Sequence, residues 1–186
     1  MSFGGEMQQE NKSVTNTKSE IKNAKSLISA RCLELLQFRN HEEEKSARLY
    51  EDMYMYLKNI GFTNFGNLWH KYAHEELVHA DWAREYLLSL GIQPELRPMP
   101  LLKGEYTSLV DIIEKSYQHE IDITEQCKAL GKAALEDGDI LLYQLAVKYL
   151  NEQIEEIDKM QTWMDKLNTF GKDIASLHRL ELELAE

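Results

Sequence analysis

Four stretches of the sequence carry apolar residues at helical spacing, and polar residues interrupt each stripe near its centre. The interrupting residues are Glu43, Glu76, His79, Glu120, Gln153 and Glu156. Because each of them lies in phase with its stripe, we expect these side chains to face the interior. Ionised carboxylates in an apolar core cost several kcal/mol each, and no lysine or arginine lies on the stripes near them. A bound cation would compensate this cost.

The donor types at these positions indicate which cation would bind. Several carboxylates with one imidazole suit iron or manganese better than the thiolate-rich sites of structural zinc. The Glu-x-x-His spacing of Glu76 and His79 places both donors on one face of a helix. A single motif of this kind is common by chance, and a solvated helix face is its simplest explanation. In-phase polar residues at the centre of all four stripes together predict a two-metal carboxylate site rather than a wet polar core.

The spacing of these residues also predicts that they lie at the same level. The midpoint of Glu43 and Glu76 falls at 59 to 60, beside a turn at Gly61, and that of Glu120 and Gln153 falls at 136 to 137, beside a turn at Asp137-Gly138. Both pairs are 33 residues apart, and each member of the second pair lies 77 residues after its counterpart in the first. The two halves therefore resemble a pseudo-twofold repeat that brings the polar residues together in mid-bundle.

The elements that must position these residues are five helices with recognisable ends. We expect them over about Ser29 to Asn59, Thr63 to Gly91, Leu109 to Asp137, Asp139 to Phe170, and Ile174 to Leu184. The sequence between the second and third helices holds all three prolines and is long enough to cross the whole bundle. The predicted fold class is all-α, a four-helix bundle with one long crossover and a short C-terminal fifth helix. Residues 1–25 are predicted to form a mobile polar tail, and 26–186 the helical domain.

Composition excludes several classes of function. The 186 residues carry 21 Lys and Arg against 32 Asp and Glu, a formal charge of −11, which disfavours nucleic acid and anionic membranes as partners. No apolar run approaches the roughly 20 residues of a membrane span, and residues 1–25 lack the apolar region of a signal peptide. Two cysteines are too few for a disulfide framework. These features predict a soluble cytoplasmic protein that attracts cations.

Several further residues allow two interpretations. Tyr50 lies seven residues after Glu43 on the same stripe and is either core packing or a hydrogen-bonding or redox partner of the site. Glu75, Glu152 and Glu155 flank the stripes and would ordinarily be a solvated face. The acidic residues of the third turn, Glu136, Asp137 and Asp139, are most simply capping residues, with ion entry as the alternative.

The motifs together resemble the ferritin family, and particularly the non-haem bacterial-type ferritins, over residues 29 to 185. They are HEEEKSARLY, HKYAHEELVHADW, TSLVDIIEKSYQHE and YLNEQIEEI. The resemblance implies a first iron held by Glu43, Glu76 and His79. It also implies a second iron held by Glu120 and Glu156, with Glu76 as the bridge and Gln153 nearby.

The resemblance carries further expectations about iron and assembly. It places Tyr50 beside the two irons and a third iron at Glu75, Glu152, Glu155 and Glu156. It also implies that the fifth helix packs around fourfold channels in a hollow shell of 24 subunits.

The chain departs from the haem-containing branch of this family. That branch carries a second Glu-x-x-His, where this chain has Gln153 and Glu156, and a haem-binding methionine, where this chain has Leu77. We therefore expect no haem. Lys148 stands where close relatives often carry an aromatic residue, so their electron-transfer details do not carry over.

The leading functional hypothesis is an iron-storage ferroxidase that oxidises Fe(II) with O2 or H2O2 and deposits ferric mineral in its shell. The alternative is a ferritin-like di-iron oxidase or peroxidase that acts on another substrate and forms no storage shell. A helical scaffold or a miniature ferritin-like DNA protector is a third possibility, against which the negative charge and the intra-bundle ligands argue. Native mass and metal content distinguish these classes.

Overall fold

Five α-helices make up most of the part of the chain that the computed structural model describes, residues 23–102 and 104–185. They are α1 (Ala30–Asn59), α2 (Thr63–Ser89), α3 (Leu109–Glu136), α4 (Ile140–Phe170) and α5 (Ile174–Glu183), and a 3₁₀ turn at Ala24–Leu27 precedes them. The predicted all-α fold is confirmed, with each helix end within two residues of its expected position. Most of the predicted tail lies outside the described residues. In the described part, no helix is both long and apolar enough to cross a membrane.

Short polar side chains define where the helices begin. The side chains of Ser29, Ser108 and Asp139 accept the free N–H groups at the starts of α1, α3 and α4. Gly61 and Gly138 take positive φ angles of 91° and 71° in the two tight turns, a conformation that disfavours residues with a Cβ. These turns make α1–α2 and α3–α4 antiparallel hairpins, as the sequence predicts.

The start of α2 has no side-chain cap of its own and is capped by α5 instead. The buried carboxylate of Glu181 accepts the backbone N–H groups of Asn64, at 2.6 Å, and of Phe65, at 3.0 Å. A carboxylate at a helix N-terminus also interacts favourably with the helix dipole. This contact fixes the short fifth helix against the end of the bundle.

The segment between α2 and α3 runs along α1. Near its beginning, the backbone N–H of Glu95 donates to the side chain of Gln37 at 2.9 Å. Near its end, the hydroxyl of Tyr106 donates to Asp52 at 2.9 Å. Since Gln37 and Asp52 lie four turns apart on α1, the connection is the long crossover that the sequence predicts.

The apolar core is divided into two large parts. One cluster is built around Leu57, Phe65, Trp69, Ile112 and Trp163, and includes the face of α5. The other, towards the opposite end, consists of smaller residues such as Leu36, Leu87, Ala134 and Leu142. The polar residues of the candidate site lie between these clusters, where the apolar stripes are interrupted.

Candidate metal centre

Six polar side chains lie inside the bundle at the level where the two apolar clusters separate. They are Glu43, Glu76, His79, Glu120, Gln153 and Glu156, and each is at most 5% exposed. The helical phase of the sequence therefore correctly predicts that they face inward. Their roles as metal ligands stay a prediction.

The first group of donors joins the α1–α2 hairpin. One ligand atom each from Glu43, Glu76 and His79 lie within 4.8 Å of one another, and His79 Nδ1 is 3.2 Å from Glu76 Oε2. Glu43 and Glu76 have their midpoint beside the turn at Gly61, and the two side chains lie together as predicted. One oxygen of Glu43, Oε2, is buried without a hydrogen-bond partner among the described residues. Two carboxylates and an imidazole, with a free oxygen, fit a divalent cation such as Fe(II).

A second group connects α2 to α4. Ligand atoms of His79, Glu152 and Glu156 lie within 4.8 Å of one another, and His79 Nε2 is 3.6 Å from Glu152 Oε1. The imidazole therefore faces Glu76 with one nitrogen and Glu152 with the other. The side chain of Glu152 is 26% exposed, so this group opens towards the surface.

Glu120 lies next to these groups but belongs to neither. Its carboxylate accepts a short hydrogen bond from the hydroxyl of Tyr50, which is fully buried. Gln153 shares its level, since the hydroxyl of Thr124 bonds both the Glu120 backbone carbonyl and the Gln153 side chain. Tyr50 is thus a hydrogen-bonding partner of the site as well as part of the core.

The flanking acids predicted from the resemblance are only partly gathered here. Glu75 lies between Lys71, at 3.4 Å, and Lys159, at 3.3 Å. Glu155 is exposed and joins neither group. Glu152 and Glu156 are the two members of this set that the structure brings together.

Two basic side chains from outside the stripes reach the buried carboxylates, so a bound cation is not the only source of compensating charge. Arg39 Nε lies 2.9 Å from Glu43 Oε1, and Lys159 Nζ lies 2.8 Å from Glu156 Oε1. Arg39 precedes Glu43 by one helical turn, and Lys159 follows Glu156 by about one turn, so their long stems reach back to the site. Helical phase alone does not reveal these contacts, because it ignores the length of the side chain.

Glu42 is also buried, although it lies about 100° from Glu43 around α1 and would by helical phase fall on the flank of the stripe. Its carboxylate lies between α1 and α3, 3.1 Å from Lys45 Nζ and 3.4 Å from the amide of Gln126. Glu44 pairs with Arg84 on the other side. Packing of α3 against α1 covers Glu42, which the phase of α1 alone does not reveal.

The pKa values of three carboxyl groups of the site are raised. Burial first, and then the charges of Glu43 and Glu120, raise the pKa of Glu76 well above its ordinary value. Burial likewise raises the pKa of Glu120 to about 7, with the Tyr50 hydrogen bond opposing the shift. Burial also raises the pKa of Glu156, although Lys159 opposes it. Crowded, desolvated acids of this kind favour the arrival of a cation.

Comparison with known proteins agrees with this architecture. A family model described as Ferritin-like domain matches residues 33–170 of the chain. The chain belongs to the ferritin family. Iron storage is the function that this membership supports.

Curated relatives of this ferritin are bacterial non-heme ferritins. That of Staphylococcus haemolyticus is 28% identical over 159 residues, which cover 86% of this chain and 96% of the relative. That of Escherichia coli O6:H1 is 26% identical with the same coverage. The identity is modest, but the alignments cover most of both chains.

Solved ferritins share the fold of this chain. An open pore ferritin from the hyperthermophilic archaeon Archaeoglobus fulgidus aligns with a TM-score of 0.82 and 29% identity, over 86% of this chain and 97% of that one. An engineered closed form of the same archaeal ferritin aligns with a TM-score of 0.80 and 30% identity, over 84% and 96%. The four-helix bundle predicted from the sequence is therefore confirmed.

Proposed function

We propose that this ferritin oxidises Fe(II) to Fe(III) in the centre of the bundle and stores the product as ferric mineral inside a shell, which we expect to contain 24 subunits. The observation that carries the proposal is the Glu43, Glu76 and His79 group, whose donor atoms lie within 4.8 Å of one another in the interior. We further propose that the protein acts in the cytoplasm, without haem.

Iron is the substrate of this reaction. In the proposal, Glu43, Glu76 and His79 hold the first Fe(II), and Glu76 bridges to a second Fe(II) held by Glu120 and Glu156. Each ion gives up one electron, and O2 accepts two electrons and two protons to leave as H2O2; H2O2 itself is the other candidate oxidant. The buried, unpartnered oxygen of Glu43 supports this arrangement, since it has an unused lone pair.

The neutral side chain of Gln153 gives the second position a different character. A carboxylamide contributes no charge, so the second ion should be held less tightly than the first. Weaker binding suits a site that must release its product. We propose a third iron position at Glu75, Glu152, Glu155 and Glu156, supported by the short distance between Glu152 and Glu156.

Alanine substitutions test the proposed activity. Glu76→Ala and His79→Ala should each abolish the rapid phase of Fe(II) oxidation, because both remove a ligand of the first ion. Glu85→Ala and His74→Ala are matched controls, since they remove exposed side chains of the same types from the same helix. Stopped-flow absorbance of ferric product measures the rate, and circular dichroism checks the helical fold. Unchanged rapid oxidation in the first two variants would contradict the proposal.

Native mass separates this proposal from its alternative. Sedimentation of the purified protein should show a large hollow shell, whereas a di-iron oxidase acting on another substrate would sediment as a monomer or dimer. Metal analysis of the same sample tests the scaffold hypothesis, which predicts no bound iron.

A further inference from the structure

Arg39 is a charged side chain placed in the interior beside the candidate iron site. It is 1% exposed, among the largest fully buried side chains of the described residues. Its Nε lies 2.9 Å from Glu43 Oε1, and its Nη1 donates to Gln126 Oε1 at 2.7 Å. Neither Nε nor Nη2 makes a hydrogen bond in the described part of the chain, so the contact with Glu43 is an ion pair. The guanidinium therefore lies against a proposed iron ligand in the interior rather than in solvent.

The surroundings of this guanidinium leave it charged. Glu43 on α1 and Glu76 on α2 are the acids that face it, while α3 contributes Gln126 and Cys127 and α4 contributes Tyr149. Burial opposes its charge, but the pKa of Arg39 remains above its ordinary value because of Glu43. An arginine stays protonated in proteins, so this positive charge is permanent.

Lys159 provides a contrast within the same site. Its ammonium also pairs with a proposed ligand, Glu156, but its side chain is 32% exposed. A flexible lysine at the surface can turn into solvent when a cation arrives. Arg39, enclosed between α1 and α3, has no such route. One counter-ion of the site is thus displaceable and the other is fixed.

We infer that Arg39 is a fixed internal counter-ion that positions Glu43 and weakens the binding of divalent cations by Glu43, Glu76 and His79. This inference rests on the proposed function. Before iron enters, the guanidinium compensates the buried carboxylates and stabilises the metal-free bundle. After iron enters, it repels the ion and withdraws part of the charge of Glu43. The first position then holds iron loosely enough to pass it on.

Neutral substitutions test this positioning role. The metal-free, assembled protein is titrated with Co(II) without oxygen, and the ligand-field absorption of bound Co(II) gives the affinity. Arg39→Gln should bind Co(II) roughly 10- to 100-fold more tightly, the size of effect that groups next to metal ligands usually have. Arg39→Met, which keeps the apolar stem, should do the same and serves if the glutamine variant fails to assemble. Unchanged or weaker binding in the neutral variants would overturn the inference.

Two charge controls accompany these variants. Arg39→Lys keeps a cation near Glu43 and should retain an affinity close to that of the wild type. Arg48→Gln removes an exposed arginine from the same helix and should leave the affinity unchanged. Tighter binding in Arg48→Gln would show that overall charge, rather than the buried guanidinium, sets the affinity, which would also overturn the inference.

Thermal unfolding supplies a readout that does not depend on oxidation. The metal-free neutral variants should unfold at a lower temperature than the wild type, because Glu43 loses its counter-ion. Loaded with Co(II), they should unfold at the wild-type temperature, so Co(II) should raise the unfolding temperature of the variants more than that of the wild type. An equal decrease in the unfolding temperature of the variants with and without Co(II) would indicate a packing role only and contradict the inference.

Failure of the proposed function gives a different result. In that case Glu76→Ala and His79→Ala would bind Co(II) as the wild type does, with Arg39 intact. Loss of binding in those two variants, together with no effect of the neutral Arg39 variants, would refute the inference alone.

Discussion

Replacing Glu120 by glutamine should stabilise the metal-free protein at pH 8. Glu120 is 1% exposed, and its pKa is raised from 4.5 to about 7 by burial and by the charges of Glu156 and Glu43. Glutamine has nearly the same shape but no charge to desolvate, and its carbonyl oxygen can still accept the hydrogen bond from Tyr50.

The size of the effect follows from the difference between the folded and unfolded pKa values. An increase from 4.5 to about 7 corresponds to about 3 kcal/mol, at about 1.4 kcal/mol per pKa unit. The folded protein binds this proton more tightly than the unfolded chain, so the cost of ionisation is absent below about pH 4.5. It grows as the pH rises and is complete above about pH 7. At pH 8 the variant should be more stable by up to about 3 kcal/mol.

Calorimetry of the metal-free protein in chelator, from pH 5 to pH 8, measures this effect. For a chain of this size, about 3 kcal/mol corresponds to roughly 6–12 °C in the unfolding midpoint. The midpoint of the wild type should fall as the pH rises, and that of Glu120→Gln should fall less. Glu125→Gln is the matched control, because Glu125 is exposed on the same helix and its loss should change stability by under about 0.5 kcal/mol.

A metal-free Glu120→Gln variant that is equally or less stable than the wild type at pH 8 would show that burial imposes no desolvation penalty on Glu120. It would also show that the site does not require a cation. With iron or Co(II) bound, the order of stability should reverse, since the variant has lost a proposed ligand.

Two further substitutions test other parts of the structure. Tyr50→Phe removes the hydroxyl that lowers the pKa of Glu120, so the variant should bind Co(II) more weakly than the wild type at pH 7. The difference in affinity should be smaller at pH 8.5, where protons no longer compete with Co(II) for Glu120, and equal weakening at both pH values would contradict the explanation. Glu181→Gln leaves one N–H at the start of α2 without its carboxylate oxygen, so urea titrations should show a free energy of unfolding lower by about 1–3 kcal/mol. An unchanged urea midpoint would show that α5 does not cap α2.

The helix ends, and the height of each central polar residue along the bundle, were predictable because local signals determine them. Ser29, Ser108 and Asp139 precede apolar stripes and cap the helices that follow, and glycines occupy the two turns with positive φ. Once the hairpins are known, the midpoint of Glu43 and Glu76, beside the turn at Gly61, places these two residues at the same level. The burial of the six central polar residues follows from the 3.6-residue period alone.

The counter-ions of the site were not predictable in the same way. Arg39 and Lys159 lie off the stripes, and only the reach of their side chains brings them to Glu43 and Glu156. The separation of Arg39 and Glu43 by four residues was the available signal, since such pairs meet on a helix surface. The burial of Glu42 and the cap by Glu181 depend on how α3 and α5 pack, which no local pattern specifies.

Anomalous diffraction at the iron edge, from crystals loaded anaerobically with Fe(II), would locate the bound iron. We expect two peaks inside the bundle, one bounded by Glu43, Glu76 and His79 and the other by Glu76, Glu120 and Glu156. Iron found only on the outer surface of the bundle, with no peak between these side chains, would contradict this expectation.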